Sequence, residues 1–326
     1  MKHTYTLDGC GYRLRPVEMT DAQFVVDTRL EDMERNRFIH PISPCIFQQE
    51  EWLKAYFERE GDCYFIIENR LTGQPEGLIA FYNMQDGKAE WGRWVIRRGS
   101  FSAVESVYLL YRIAFEQAGL QELYCRTVAE NTAVVSFHSS IGEQTRAVHP
   151  KMFELNQEFF DAVEQYADQA CFYEIMAPKL KKQAMEIYRR NLKRIHSLFT
   201  FHHIGVAAKS IEKALSVYTL LGYVQEGGSF EDPAQGIRGV FLTAEGCPRL
   251  ELLENLPGST TLDQPLRQGQ RLYHIAFYVE DIERAIDILK ANRAKMISPM
   301  KESVYFKKRI CFLMMSNMLM IELLEM

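Results

Sequence analysis

Apolar positions along the chain follow two rhythms. Short runs alternate apolar and polar residues, as a strand with one buried face does, and longer stretches repeat every three or four residues, as an amphipathic helix does. Tyr12-Arg13-Leu14-Arg15-Pro16-Val17 alternates as an opening strand, and Thr20-Asp21-Ala22-Gln23-Phe24 begins a helix with an N-cap candidate. After an irregular stretch at 35–42, a second helix is expected at about 48–59, with Trp52, Ala55, Tyr56 and Phe57 on its apolar stripe. Three strands follow at 63–68, 76–82 and 89–96, and the turn chemistry between them makes an antiparallel meander. The pattern then predicts a helix over 103–118, a strand over 123–128, and a helix over 132–141 opened by Asn131 and ended by Gly142. Residues 144–174 are expected to add two strands around a helix, and 180–195 reads as a basic helix.

The last 130 or so residues contain a repeat, a pattern that sets architecture before any local reading. His203 and His274 lie in apolar strand-like runs 71 residues apart, and Glu251 and Glu322 lie in two others, also 71 apart. Each His precedes its Glu by 48 residues, so one unit occurs twice. His203, Gly205 and Ala207 share one strand face, as do His274 and Ala276, while Ile204, Val206, Ile275 and Phe277 face the other way. Two imidazoles and two carboxylates beside small residues, with open positions, suit a divalent ion such as Zn, Ni, Co, Mn or Fe(II). Helices are expected after the first strand of each unit, at 210–220 and 282–292.

Length changes the picture next: 326 residues suggest two domains. A hydrophobic content of 47% and a net charge of −5 describe an ordinary globular chain with no electrostatic case for nucleic acid or an anionic membrane. Seven scattered cysteines without ligand spacing read as reduced thiols, and with no signal peptide or apolar span a cytoplasmic location is expected. The partners expected are small molecules, and the chain is compatible with a homodimer.

The phrases HHIGVAAKSIEKAL, RLELLE, YHIAFYVEDIERAI and MIELLE resemble the vicinal-oxygen-chelate superfamily, most of all its methylmalonyl-CoA epimerase branch beside glyoxalase I. The resemblance covers about 200–326. It implies paired βαβββ modules forming a metal cup, with His203, Glu251, His274 and Glu322 as ligands and Glu322 or Glu251 moving a proton next to a carbonyl. Epimerases carry a second acidic base where this chain has Ala; Glu231 and Asp232 are the nearby candidates. The family's Gly-rich segment before the last strand is replaced by Tyr305-Phe306-Lys307-Lys308-Arg309.

In the first half, AEWGRWVI, RRGSFSAVESVYLLYRIAFEQAGL and ENTAVVSFHSSIG resemble Gcn5-related N-acetyltransferases (GNAT), in particular the subgroup acting on amino groups of nucleotide-linked sugars. The resemblance covers about 10–178 and implies a mixed sheet with flanking helices. It implies acetyl-CoA or another acyl-CoA along Val95, Ile96, Arg97, Arg98, Gly99, Ser100, Phe101, Ser102 and Ala103, with Asn131 nearby. With Arg98 set first in the pyrophosphate motif, Phe101 stands where Gly is usual and Ala103 fits. His138, seven residues after Asn131, takes the place of the family's thiolate-protonating Tyr; Glu90 is the candidate base. Trp91, Trp94 and Phe101 are expected in the core or pocket wall.

The expectation is therefore an α+β chain: an acyltransferase domain at 1–178, a basic helical linker at 179–197 with a solvated charged face, and a glyoxalase-like domain at 198–326. The whole reads as a bifunctional enzyme, an N-acyltransferase fused to a metal-dependent epimerase or isomerase. The alternatives are a non-catalytic, ligand-sequestering second half and a first half that only docks CoA.

Overall fold

The computed structural model describes residues 3–326. The chain divides into two compact units, Met1–Asn191 and Leu192–Met326, each built on its own mixed sheet.

In the first unit the strands are β1 (Leu7–Asp8), β2 (Tyr12–Pro16), β3 (Cys63–Asn69), β4 (Pro75–Gln85), β5 (Lys88–Ile96), β6 (Glu122–Val128), β7 (Gln144–Leu155) and β8 (Glu158–Asp168). Their order in the sheet is β1-β2-β3-β4-β5-β6-β8-β7. Helices α1 (Ala22–Leu30) and α2 (Ile46–Phe57) precede β3; α3 (Ala103–Arg112) joins β5 to β6, and α4 (Thr132–Ile141) joins β6 to β7. Trp91, Phe65, Phe81, Tyr111 and Phe172 fill one core between sheet and helices. Val17, Val25, Leu53, Tyr56 and Tyr64 fill a smaller one under α1 and α2.

The helix expected at 103–118 is α-helical only to Arg112 and continues as a π-helical turn at Ile113–Gln117. Residues 144–174 also depart from expectation, because β7 and β8 form one hairpin with no helix between them. The turn residues Asn156 and Gln157 both have positive φ, 52° and 69°, the backbone that matches strand twist in a two-residue hairpin. The expected helix comes after both strands. It starts with a short turn, α5 (Gln169–Cys171), and leads to α6 (Ala177–His196), which seats Leu180 in the core of the first unit and buries Ala184. Lys179, Lys181, Lys182, Arg189, Arg190, Lys193 and Arg194 on α6 are all exposed. Phe101 is 50% exposed and lies outside the core, whereas Trp91 is buried and Trp94 packs against it.

The second unit holds β9 (Thr200–Ala207), α7 (Ile211–Leu220), β10 (Val224–Asp232), β11 (Ile237–Thr243) and β12 (Leu250–Asn255), then α8 (Asp263–Arg267). The pattern recurs as β13 (Leu272–Val279), α9 (Ile282–Ala291), β14 (Lys295–Met296), β15 (Lys301–Glu302), β16 (Arg309–Met314) and β17 (Met320–Glu325). The copy of β10 is thus split into β14 and β15, and Pro299 stands between them, where a strand would need its missing N–H. The order β10-β11-β12-β9-β13-β17-β16-β14 sets the two βαβββ modules back to back through antiparallel β9 and β13. Serine and aspartate N-caps start the matching helices, with Ser210 and Asp281 accepting from the backbone N–H groups of Lys213 and Arg284.

Candidate functional site

In the second unit, the four repeated residues stand on β9, β12, β13 and β17. Strand spacing separates β12 from β17 by three gaps, about 14 Å in a flat sheet. One donor atom from each of the four residues nevertheless lies within 4.8 Å of the other three, so the sheet curves around them. His203 Nε2 is 3.1 Å from Glu251 Oε2, 2.9 Å from His274 Nε2 and 3.3 Å from Glu322 Oε2. His274 Nε2 is 3.3 Å from Glu251 Oε2 and 3.2 Å from Glu322 Oε2. All four side chains are buried.

Register explains the convergence. Gly205 lies between Glu251 and His274, and Ala276 lies between His203 and Glu322. A Cβ on Gly205 would stand 2.2 Å from His274 Cε1, so glycine is required for the imidazole to cross that strand. The β9–β13 pairing also contains two bulges related by the repeat. His202 and His203 together oppose Ala276, while Tyr273 and His274 together oppose Gly205. Strict alternation would turn His202 and Tyr273 away from the ligands. The bulges instead bring His202 Nδ1 to 2.7 Å from His203 Nδ1 and put Tyr273 in the wall beside Glu251 and Glu322. Their common signal in the sequence is the same 71-residue step, but nothing in the residue types announces a bulge.

The donor set fits a divalent ion. Donors about 2.0–2.1 Å from such an ion stand about 3.0 Å apart when octahedral neighbours and about 3.4 Å apart when tetrahedral. The separations of 2.9–3.3 Å fall in and just below that range. Burial opposes charge on His274, but the hydrogen bonds it donates to the Glu251 and Glu322 carboxylates raise it to about 9. Glu251, despite burial, is held down to about 2 by the two imidazoles.

A cavity of about 20 Å³ adjoins the quartet, room for about one water. Asp232, Gln235, Ser303, Tyr305 and Phe306 help line it. Of the two acids considered as a second base, Asp232 is buried in this wall, where its carboxylate accepts from Gln235 N at 2.9 Å and Nε2 at 2.7 Å. Glu231 is exposed. The Tyr305-Phe306 segment, in place of a Gly-rich one, closes the cavity, with the Tyr305 ring tilted against Phe230 and Phe241 and the Phe306 ring tilted against Phe241.

In the first unit, β5 and β6 pair in parallel only from Lys88–Glu122 to Glu90–Tyr124, then part. β5 continues against β4, and β6 against β8. A bulge at Arg93-Trp94, with Arg93 at φ 47°, interrupts β5 and turns both Trp91 and Trp94 to one side, ring centroids 5.8 Å apart. A cleft of about 640 Å³ opens here, lined among others by Glu90, Trp91, Trp94, Cys125, Asn131 and His138.

Val95 and Ile96 are buried at the end of β5, and Ile96 O accepts from Arg35 Nη1 at 3.1 Å. Arg97, Arg98 and Gly99 are exposed; Ser100 donates to Glu76 Oε2 at 2.6 Å. Ser102 is the N-cap of α3 and Ala103 its first residue, but Ser102 supplies no side-chain cap, so first-turn N–H groups lack an intrahelical partner. An anion already uses the loop: Glu31 accepts from Arg98 N at 2.8 Å and from the Arg97 guanidinium at 3.3 Å.

His138 is buried against Trp91 and Trp94, at centroid distances of 4.8 and 6.2 Å. Burial lowers it to about 4, against a smaller upward pull from Gln165, so its imidazole is neutral. Behind it, Cys125 Sγ is 3.1 Å from His138 Nδ1 and donates to Glu143 Oε2 at 3.3 Å. Burial pushes the Glu143 carboxyl up to about 7, although it accepts from Tyr111 Oη at 2.8 Å. Cys125 and Glu143 carry no spacing signal; only the fold brings them to His138. Glu90 is raised by burial, and Arg126, 3.4 Å away, opposes the shift.

Residues 12–144 match the acetyltransferase (GNAT) domain family, and residues 202–324 match the glyoxalase/bleomycin resistance protein/dioxygenase superfamily. No curated protein matches the chain. Similar solved structures include apo FdhC, a nucleotide-linked sugar GNAT, at 26% identity over 53% of this chain and 94% of that one, with a TM-score of 0.46. A mutant of the spermidine N-acetyltransferase SpeG from Vibrio cholerae is 17% identical over 51% of this chain and 98% of its own, with a TM-score of 0.45. A GCN5-related N-acetyltransferase from Brucella melitensis is 16% identical over 55% and 83%, with a TM-score of 0.48. Among the described residues no helix is long and apolar enough to cross a membrane.

Proposed function

We propose that this chain, a GNAT acetyltransferase domain fused to a glyoxalase-superfamily domain, carries out two reactions on small metabolites. The first unit transfers an acyl group from acetyl-CoA or another acyl-CoA to an amine, on a nucleotide sugar or a related metabolite. The second is a divalent-metal-dependent epimerase or isomerase working next to a carbonyl, with an acyl-CoA among its candidate substrates.

The parting of β5 from β6 supports the first reading, because it leaves backbone edges and a cleft for a pantetheine arm. The Arg97–Ala103 loop offers its N–H groups and guanidinium to the pyrophosphate in place of Glu31. Glu90, its affinity for protons raised by burial, takes the proton of the acceptor amine. His138 returns a proton to the departing sulfur from Nε2 as Nδ1 takes one from the Cys125 thiol, 3.1 Å away, and the protonated Glu143 carboxyl, 3.3 Å from Cys125 Sγ, replaces the thiol proton.

The observation that carries the second reading is the convergence of two imidazoles and two carboxylates within 4.8 Å. His203, Glu251, His274 and Glu322 would hold the ion, which would supply Lewis acidity toward the oxygens of a carbonyl substrate. Glu322 or Glu251 moves the proton on one face of the carbon, and Asp232 is the acid on hand for the other. A substrate larger than one water enters only when Tyr305 and Phe306 swing aside.

Metal analysis of the purified protein beside His274→Ala tests the ligand set, with about one divalent ion per chain expected in the first and little in the second. Solvent deuterium entering acyl-CoA thioesters next to the carbonyl tests the chemistry. A fully loaded protein that exchanges no such proton would leave a ligand-sequestering module instead. Thiol release from acetyl-CoA across an amine panel tests the first unit.

A further inference from the structure

The cleft in the first unit is lined by four arginines, Arg29, Arg59, Arg93 and Arg126. Three have a carboxylate within reach. Arg93 forms two bonds to Asp62, at 2.7 and 3.0 Å, and Arg59 lies 3.8 Å from the same carboxylate. Arg126 pairs with Glu164 at 2.9 Å and Glu90 at 3.4 Å. Arg29 differs: among the described residues it pairs with no carboxylate, and Nη2 donates to the His40 carbonyl at 2.5 Å.

Arg29 sits in the last turn of α1, where the negative end of the helix offsets part of its charge and fixes its position. It is half-buried, and Tyr64, Trp52 and Phe38 line the cleft beside it. A guanidinium has five donors in a planar fork, and the His40 carbonyl and the Tyr64 hydroxyl accept from two of them. A partly desolvated cation left without a counter-charge in a cleft is completed by an anion from outside.

We infer that Arg29 is the specificity-determining residue of the acceptor site, and that it selects acceptors carrying a phosphate or carboxylate in addition to the amine. The inference rests on the amine-acylation reading and narrows its substrate class. The aromatic wall adds a flat partner for a base or sugar face. A polycationic acceptor is rejected by the same charge.

Titration calorimetry on the full chain tests this without turnover, using UDP, glucosamine 6-phosphate, glutamate and glucosamine as probes. The wild type is expected to bind at least one anionic probe tenfold or more tighter than neutral-bodied glucosamine. The probe preferred tells diphosphate from monophosphate from carboxylate. Arg29→Gln is expected to erase the preference, with acetyl-CoA binding and melting temperature unchanged; Arg29→Lys should keep part of it. Wild type without anionic preference, or Arg29→Gln with the full preference, overturns the inference. If the preference follows Arg29 but no amine is acylated by the wild type, the recognition stands and the transferase reading falls.

Discussion

Gly205 lies opposite His274 across the β9–β13 pairing, and the space of its missing Cβ is filled by the imidazole. The four-residue cluster therefore depends on a residue that donates nothing to it. Gly205→Ala must push a buried ring aside or open the strand pair, at a cost of about 1–3 kcal/mol. Loss of bound metal together with a lower melting temperature is the expected outcome, read by elemental analysis and calorimetry. Ala207→Gly, on the same face two residues on, should leave the metal content unchanged.

Asp232 and Glu231 are adjacent in sequence and separate in environment, one in the cavity wall and one in solvent. Asp232→Asn is expected to retain the ion and to slow proton exchange by about 10²-fold, the usual contribution of a general acid or base. Glu231→Gln should match the wild type. Deuterium wash-in followed by mass spectrometry separates the two.

Glu31 occupies the groups that a pyrophosphate would use. Glu31→Gln removes that competitor, so acetyl-CoA should bind more tightly, by about 0.5–1 kcal/mol as for other exposed ion pairs. Calorimetry at low and high salt checks it; the gain should shrink as salt screens the pair.

Glu143 gives a pH prediction with a definite sign. Its folded value, about 7, lies above the ordinary 4.5, so folding favours the proton. Stability from this group is full below about pH 4.5 and is lost as pH rises to about 7, with about 3 kcal/mol gone above that. His138 works in the opposite sense: lowered to about 4, it costs stability as pH falls from 6.5. The two offset one another in the wild type between pH 4.5 and 6.5. Glu143→Gln keeps the shape and removes one of them, so relative to wild type it should gain stability at pH 8 and lose that advantage at pH 5. Thermal melts at the two pH values decide it.

Much of this was legible from residue order alone. The 71-residue step joined His203 to His274 and Glu251 to Glu322, because a duplicated module must place equivalent residues at equivalent strand positions. Helices such as α4 and α9 were legible because caps and apolar stripes are local. The β7–β8 hairpin was misread, since 144–174 carries no period clear enough to tell strand from helix and the decision rested on pairing between distant residues.

By itself the sequence determined two domains, two duplicated modules and the identity of the four converging donors, all consequences of short-range periodicity and one long repeat. Only the tertiary structure decided that bulges turn His202 and Tyr273 toward the ligands, that Asp232 rather than Glu231 reaches the cavity, and that Cys125 and Glu143 lie behind His138. It alone left Arg29, among the described residues, without a carboxylate while pairing Arg93 with Asp62 and Arg126 with Glu164. The reason is physical: strand register, curvature and charge pairing arise from contacts between residues far apart in the chain, and no local pattern of residue types records them.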